Sequence, residues 1–103
     1  MTKKALENTI VDVLKTIYDP EIPVDIYELG LIYEIKVKDN FDVDVLMTLT
    51  TPNCPVAESL PLEVEEKIER IEGVEKARVT ITFDPPWDKE MMSEEAQLEL
   101  GFL

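Results

Sequence analysis

One stretch of the chain decides its fold: FDVDVLMTLTTPNCP, residues 41–55. Apolar and polar side chains alternate from Phe41 to Leu49, which is the period of a strand with one buried face. Two prolines then lie on either side of Cys54, the single cysteine of the chain, and a helical pattern follows. We therefore expect a strand to end and a helix to begin at this cysteine.

Helical and alternating patterns continue on both sides of this stretch. Apolar residues recur every three or four positions in the segments that we predict as helices, and every two positions in those that we predict as strands. We expect Pro20 to end the first helix and Gly73 to end the second. The predicted helices cover residues 3–18, 55–72 and 94–100, and the predicted strands cover residues 31–38, 41–50 and 74–83.

Two details of these elements carry further expectations. Pro61 lies inside the second predicted helix, where a proline removes a hydrogen bond and clashes with the preceding turn. Either the helix kinks at Pro61, or its regular part begins near Ser59 and Leu60; we favour a kink or an irregular first turn. In the first strand, one set of alternating apolar residues is expected to share a face: Leu31, Tyr33, Ile35 and Val37.

The order of elements, α-β-β-α-β-α, predicts how they pack. Asp39 and Asn40 form a short turn between the first two strands, which predicts an antiparallel hairpin. The second helix connects the second and third strands, so these two strands are expected to be parallel. The sequence therefore predicts an α/β (α+β two-layer) fold, with a small three-stranded mixed sheet and two main helices on one face. At this length we expect a single domain over residues 1–103.

Composition excludes several classes of partner and site. The net charge is −13, from 23 acidic and 10 basic residues, which disfavours nucleic acid and anionic membrane surfaces as partners. No signal-peptide pattern is present and no apolar run approaches the roughly 20 residues that span a bilayer, so we expect a cytoplasmic protein. With one cysteine and no histidine, one chain cannot build the usual tetrahedral zinc site.

The predicted crossover gives Cys54 a specific environment. The residue lies at the carboxyl end of a strand and the amino end of a helix, where ligands bind in open α/β sheets. The helix dipole at such a position favours an anion and lowers the pKa of a thiol. Two other proline-containing loops, residues 19–24 and 83–88, are expected at the same edge of the sheet. We therefore predict one site made from three loops, with Cys54 as its reactive atom.

Each candidate residue also has a purely structural interpretation. Cys54 is then a small buried apolar residue. Asp19 and Glu21 are either metal ligands or bases, or else a helix terminator and a solvated charge, and the residues alone favour the structural interpretation. Asp84 is either part of the site or the first residue of a Pro-Pro turn. Trp87 is expected to pack over the edge of the core.

Three threonines of the opening stretch have the same two interpretations: Thr48, Thr50 and Thr51. Their hydroxyls are suited to donate hydrogen bonds to a bound anion, or to cap the second helix. Threonine is also common in strands for reasons of packing alone.

The three loops together resemble the PaaD/SufT-like family of small iron–sulfur cluster assembly proteins, formerly described as a domain of unknown function. The resemblance rests on DPEIPV at residues 19–24, LGLIY at 29–33, MTLTTPNCP at 47–55 and DPPW at 84–87. It implies a two-layer α/β fold and a role in the maturation of iron–sulfur proteins. It also implies that Cys54 is the functional cysteine and that Asp19 and Glu21 match the acidic pair of the family.

The cysteine count limits how such a protein handles iron. Clusters are usually held by four thiolates, so one chain cannot hold a cluster with Cys54 alone. Either a homodimer shares the ligand role between two copies of Cys54, or Cys54 contacts the labile cluster or client cysteine of a partner. The cofactor is then iron or an iron–sulfur cluster that is bound transiently.

We therefore predict a non-catalytic iron–sulfur assembly or maturation factor whose partners are client proteins and assembly machinery. Its cofactor-binding residues are Cys54, which is also the candidate metal ligand, with Thr50, Thr51, Asp19, Glu21 and Asp84. The alternative is an acidic adaptor that recruits iron–sulfur clients without metal chemistry. A thiol enzyme ranks last, because the chain has no histidine to act as a general base.

Overall fold

The computed structural model describes residues 2–19, 22–50 and 59–101. It contains three α-helices and three strands in the predicted order, with one turn of 3-10 helix before the last α-helix. The elements are α1 (Lys3–Leu14), β1 (Ile32–Val37), β2 (Asp42–Met47), α2 (Ser59–Glu69), β3 (Lys76–Ile81), the 3-10 turn (Lys89–Met91) and α3 (Glu94–Glu99). The predicted α+β class and the α-β-β-α-β-α order are confirmed.

The three strands form a mixed sheet in the order β1-β2-β3. β1 and β2 pair antiparallel, and β2 and β3 pair parallel, as the hairpin and crossover patterns predict. Alternate residues of β2 are buried and face α1 and α2, which contribute apolar residues at three- and four-residue spacing. The residues of the central core are Leu6, Ile10 and Leu14 of α1, Val43, Val45 and Met47 of β2, and Leu60, Val64 and Ile68 of α2.

The first helix is shorter than its sequence pattern predicts. α1 ends at Leu14, several residues before the proline that was expected to stop it. Beyond the helix, the carbonyl oxygen of Ile17 accepts a hydrogen bond of 2.8 Å from the amide of Ile26, and Tyr18 forms an isolated bridge with Asp25. The helix ends early because these residues pair with the loop that follows, where Ile17 remains fully buried.

β1 contains a bulge that overturns the predicted alternation of the strand. The register shifts between Ile32 and Glu34, so that Tyr33 is an extra residue without a partner on β2. Because side chains alternate along a strand, one extra residue moves everything before it to the other face. Ile32, not Tyr33, therefore packs against the core beside Ile35. The Tyr33 hydroxyl instead donates a hydrogen bond of 2.8 Å to the carbonyl oxygen of Pro85.

α2 is helical from Ser59 onwards, and Pro61 lies within its first described turn. This agrees with the interpretation in which the regular helix begins near Ser59. We favoured a kink or an irregular first turn; α2 continues through Pro61 as one helix, and an irregular turn over residues 55–58 lies outside the described residues. No helix in the described part of the chain is long and apolar enough to cross a membrane.

Candidate functional site

A series of backbone hydrogen bonds joins the end of β2 to the first predicted loop. The amide of Thr48 donates to the carbonyl oxygen of Leu31 at 2.8 Å, and the amide of Leu31 donates to Ile26 at 3.2 Å. The amide of Ile26 in turn bonds to Ile17 at 2.8 Å. These bonds bring the segment that leads to Asp19 to the same edge of the sheet as the carboxyl end of β2.

The loop after β3 reaches this edge as well. The amide of Thr82 donates a hydrogen bond of 2.9 Å to the carbonyl oxygen of Met47, which aligns the ends of β3 and β2. Farther along the loop, the indole nitrogen of Trp87 donates to the carbonyl oxygen of Leu29 at 2.7 Å. Trp87 is half-buried against the core, as the sequence predicts. The described parts of the three predicted loops therefore lie at one edge.

A glycine allows the closest approach between two of these loops. Gly30 has a φ of +80°, in the left-handed region that glycine adopts without strain. A Cβ atom added to Gly30 would lie 2.3 Å from the carbonyl oxygen of Met91. The 3-10 turn can pack directly on the backbone before β1 because residue 30 has no side chain.

Asp19 is a buried carboxylate, with 4% of its surface exposed. Its Oδ1 atom accepts a hydrogen bond of 3.3 Å from the amide of Ile22, so the side chain folds over its own turn. The structural interpretation as a helix terminator is wrong, because α1 ends at Leu14. A carboxylate that is removed from water is held in place by its hydrogen bonds, so Asp19 occupies a fixed position on this loop.

Within residues 2–19, 22–50 and 59–101, Thr48 and Thr50 carry hydroxyl groups that have no hydrogen-bond partner. Both Oγ1 atoms are buried, and they are the two such side-chain atoms found among the described residues. A buried polar atom without a partner costs about 1–3 kcal/mol of folding free energy. These hydroxyls are therefore available to a group that approaches the carboxyl end of β2.

An apolar groove of about 550 Å³ opens beside this edge on the face of the sheet that the helices leave uncovered. Asp84 lies at the groove and is exposed, and its amide donates a hydrogen bond of 3.2 Å to the Thr82 hydroxyl. The sequence did not predict the groove, because its alternation placed Tyr33 on the same face as Ile35 and Val37 and gave Met91 no role. The residues that line it include Ile32, Tyr33, Leu46, Asp84, Pro85 and Met91.

On the other side of the 17–31 segment, carboxylates line a cleft of about 250 Å³ between this segment and α3. They come from Asp25, Glu28, Glu95 and Glu99. Over residues 2–19, 22–50 and 59–101, no group of three or more Cys, His, Asp or Glu side chains is arranged to hold a metal ion. The acidity of the chain therefore supplies a negative surface here, without a chelating site in the described residues.

Three of the predicted site residues lie outside the described residues: Cys54, Thr51 and Glu21. The described ones, Asp19, Thr50 and Asp84, lie on the three loops that meet at this edge. Thr48, which sequence analysis weighed but did not include in the site, has the same unpartnered hydroxyl as Thr50.

Comparison with known proteins identifies the family of the chain. Residues 7–81 match the family described as iron–sulfur cluster assembly protein. A protein of Porphyromonas gingivalis named "Fe-S protein maturation auxiliary factor" is 54% identical over 97 residues, which cover 94% of this chain and 92% of that protein. The Staphylococcus aureus Fe-S protein maturation auxiliary factor SufT is 38% identical over 85 residues, which cover 82% of this chain and 97% of the relative.

A solved structure agrees with these sequence matches. The crystal structure of a domain of unknown function, DUF59, from Bacillus anthracis superposes with a TM-score of 0.89 at 34% identity, covering 97% of this chain and 95% of that one. The resemblance that the four motifs indicate is therefore confirmed over most of the chain. The chain belongs to the iron–sulfur cluster assembly protein family.

Proposed function

We propose that this chain is a maturation factor for iron–sulfur proteins that handles iron or a cluster transiently. The observation that carries the proposal is the pair of buried, unpartnered hydroxyls of Thr48 and Thr50 at the end of β2. The chain continues from Thr50 to Cys54, its only thiol, within four residues. Family membership and the names of the relatives support the same role.

In this proposal the Cys54 thiolate contacts the iron atom, because thiolates are the usual protein ligands of iron in clusters. The hydroxyls of Thr50 and Thr51 donate hydrogen bonds to sulfur, which stabilises the negative charge that an iron–sulfur group carries. Asp19 and Glu21 would tune or complete the site with their carboxylates, and Asp84 would contribute from the third loop. No step in this scheme requires a general base, so we assign no catalytic residue.

Because this chain offers a single thiolate to iron, its contact with iron or a cluster is shared with other ligands or is transient. One thiolate leaves most positions on iron to other groups, since clusters are usually held by four thiolates. The remaining ligands come either from a second copy of Cys54 in a homodimer or from an assembly partner or client protein. A free thiol with this function suits the cytoplasm, where cysteines are kept reduced.

An adaptor function is the second candidate. The apolar groove beside the edge favours it, since grooves of this kind accept side chains from a partner. The net charge of −13 disfavours nonspecific contact with other acidic proteins and favours partners with a basic surface. An adaptor recruits iron–sulfur clients through these surfaces and binds no metal.

Anaerobic reconstitution with iron and sulfide separates the two functions. We expect the wild-type protein to bind both elements and Cys54→Ala to lose most of this binding. Thr16→Ala is a matched control, because Thr16 is exposed in the turn after α1 and its hydroxyl donates to the Val13 carbonyl oxygen. Clients that co-purify with a wild-type protein that binds neither element support the adaptor.

A maturation assay tests the role of the thiol in the function. The activity of an iron–sulfur client enzyme is measured in cells that depend on this chain for its maturation. We expect Cys54→Ala to lower that activity and Thr16→Ala to leave it unchanged. Full client activity with Cys54→Ala contradicts the assigned role of the thiol.

A further inference from the structure

The two outer strands of the sheet differ in how their free edges are protected. On β3, the amide of Val79 donates a hydrogen bond of 2.9 Å to Oε2 of Glu65, and the amide of Ala77 donates one of 3.0 Å to Oε2 of Glu69. These residues alternate with the ones whose backbone groups bond to β2, so their amides point away from the sheet. Two carboxylates of α2 therefore close the edge of β3 to another strand.

No carboxylate of the described residues protects the free edge of β1 in this way. The amide of Lys38 donates a hydrogen bond of 2.9 Å to the carbonyl oxygen of Asp42. This bond determines which residues of β1 direct their backbone groups towards β2. Because bonding alternates along an antiparallel pair, Glu34 and Lys36 point their backbone groups at β2, and Ile35 points its groups outward. No side chain or loop in the described part of the chain caps the amide of Ile35.

The charged side chains on either side of Ile35 are complementary to the same side chains of a second copy of the chain. Glu34 and Lys36 flank it, both are exposed, and both lie on the sheet face that the helices leave uncovered. Neither forms an ion pair within the described residues. In an antiparallel pair of two β1 strands centred on Ile35, Glu34 of each copy lies opposite Lys36 of the other. Oppositely charged residues that face each other across strands stabilise such a pair.

We propose that two copies of this chain associate through β1, with the two-fold axis at Ile35, to form one continuous six-stranded sheet. The outward backbone groups of the two Ile35 residues then exchange both of their hydrogen bonds. Two-fold dimers are the commonest oligomers of soluble proteins, and their interfaces are self-complementary in this way.

The alternative register along the same edge is unfavourable. If the axis passed through Val37, Lys36 of one copy would lie opposite Lys38 of the other, and this repulsion would occur twice. An axis at Tyr33 would coincide with the bulge, where the ladder of β1 is already disrupted. The hydrogen-bonding pattern of β1 and the charges of its side chains therefore each favour a two-fold axis at Ile35.

The surface next to β1 also favours a second copy. A groove of about 190 Å³ runs between α1 and β1 and is lined by Val11, Tyr27, Ile32 and Ile35, among others. Tyr27 is 37% exposed, and the core-facing side chains of Ile35 and Val37 are only partly buried. A second β1 strand would cover these apolar groups, and its own Ile35 and Val37 would be covered in return. This association does not depend on iron–sulfur chemistry.

Sedimentation of the full chain over a range of concentrations tests the dimer. We expect wild type to form a dimer and Glu34→Lys to weaken it at least about tenfold, because two lysines then face each other at both symmetric positions. The charge-swapped double variant Glu34→Lys/Lys36→Glu restores opposite charges and is expected to restore association. A wild-type monomer at every concentration, or a dimer that Glu34→Lys leaves intact, overturns the proposal.

A cross-link tests the position of the axis. In a Cys54→Ser background, Ile35→Cys introduces the single cysteine at the two-fold axis, where paired Cα atoms lie within disulfide range. We expect mild oxidation to produce a covalent dimer. Thr80→Cys is the matched control, because Thr80 is exposed on β3, the opposite outer strand of the sheet. We expect this variant to remain monomeric in denaturing electrophoresis without a reducing agent. Equal cross-linking of both variants, or none at position 35, overturns the assigned axis.

Discussion

The indole N–H of Trp87 donates a hydrogen bond to the carbonyl oxygen of Leu29, 2.7 Å away and 58 residues earlier in the chain. Leu29 is fully buried and comes directly before Gly30, the residue on which the 3-10 turn packs. The contact therefore joins the loop after β3 to the segment before β1. The edge that carries the candidate site depends on this connection, because two of its three loops meet there.

Replacing Trp87 by phenylalanine tests the contribution of this hydrogen bond. Trp87→Phe keeps an aromatic ring but leaves the buried carbonyl oxygen of Leu29 without a donor, which should lower the free energy of unfolding by about 1–2 kcal/mol. Urea denaturation followed by circular dichroism measures the change. Tyr33→Phe removes a hydroxyl that bonds to Pro85, which is exposed to water, so this control should lose less stability. Equal losses in the two variants would contradict the assigned role.

Gly30→Ala tests the close approach of the 3-10 turn. The substitution combines a φ of +80° with a Cβ atom 2.3 Å from the carbonyl oxygen of Met91, so the backbone of one segment must move. We expect a loss of roughly 3 kcal/mol or more, which thermal unfolding measures directly. Gly101→Ala is a useful comparison, because Gly101 has a similar φ of +81° but no atom within 4 Å of an added Cβ. A Gly30→Ala protein as stable as Gly101→Ala would show that the contact does not constrain the fold.

Thr48→Val separates stability from function. Valine has the shape of threonine without the hydroxyl, so the substitution removes a buried, unpartnered oxygen and should raise the free energy of unfolding by about 1 kcal/mol. If the hydroxyl contacts the cargo, the same variant should support less maturation of iron–sulfur clients. Urea denaturation and a client enzyme assay measure the two effects.

The control for this prediction is a threonine whose hydroxyl has a partner. Thr16 donates to the carbonyl oxygen of Val13 at 2.6 Å, so Thr16→Val should lose stability and keep full client maturation. A Thr48→Val variant that is less stable than wild type would show that its hydroxyl is already satisfied.

Glu65→Leu tests the protection of the β3 edge. The variant leaves the outward amide of Val79 without its acceptor, and we expect unfolding to become easier by about 1 kcal/mol. An open edge also favours pairing with other strands, so light scattering should show more self-association. Glu66→Leu is the matched control, because the exposed Glu66 side chain caps no strand. Identical behaviour of the two variants would rule out a protective role for Glu65.

The elements of this fold could be predicted to different extents. β2 and β3 followed from alternation alone, because their residues pair with regular neighbours on the sheet. The bulge at Tyr33 was not predicted, since the alternation from Tyr33 to Lys38 placed Tyr33 on the same face as Ile35, although the apolar run of Leu31, Ile32 and Tyr33 departs from that alternation. The early end of α1 could not be predicted either. Ile17 continues the helical spacing of apolar residues, but its carbonyl oxygen accepts a hydrogen bond from the amide of Ile26. Local patterns do not reveal which distant residues will compete for a backbone group.

The sequence by itself determined the α-β-β-α-β-α order and the mixed sheet, and it predicted that three loops meet at the carboxyl ends of β2 and β3, where their described parts lie. Periodicity specifies elements, and a short turn or a helical crossover specifies strand direction. Only the tertiary structure decided that the hydroxyls of Thr48 and Thr50 are buried without partners among the described residues, and that these residues cap the edge of β3 but not that of β1. These features depend on atoms far apart in the chain, which no local pattern records.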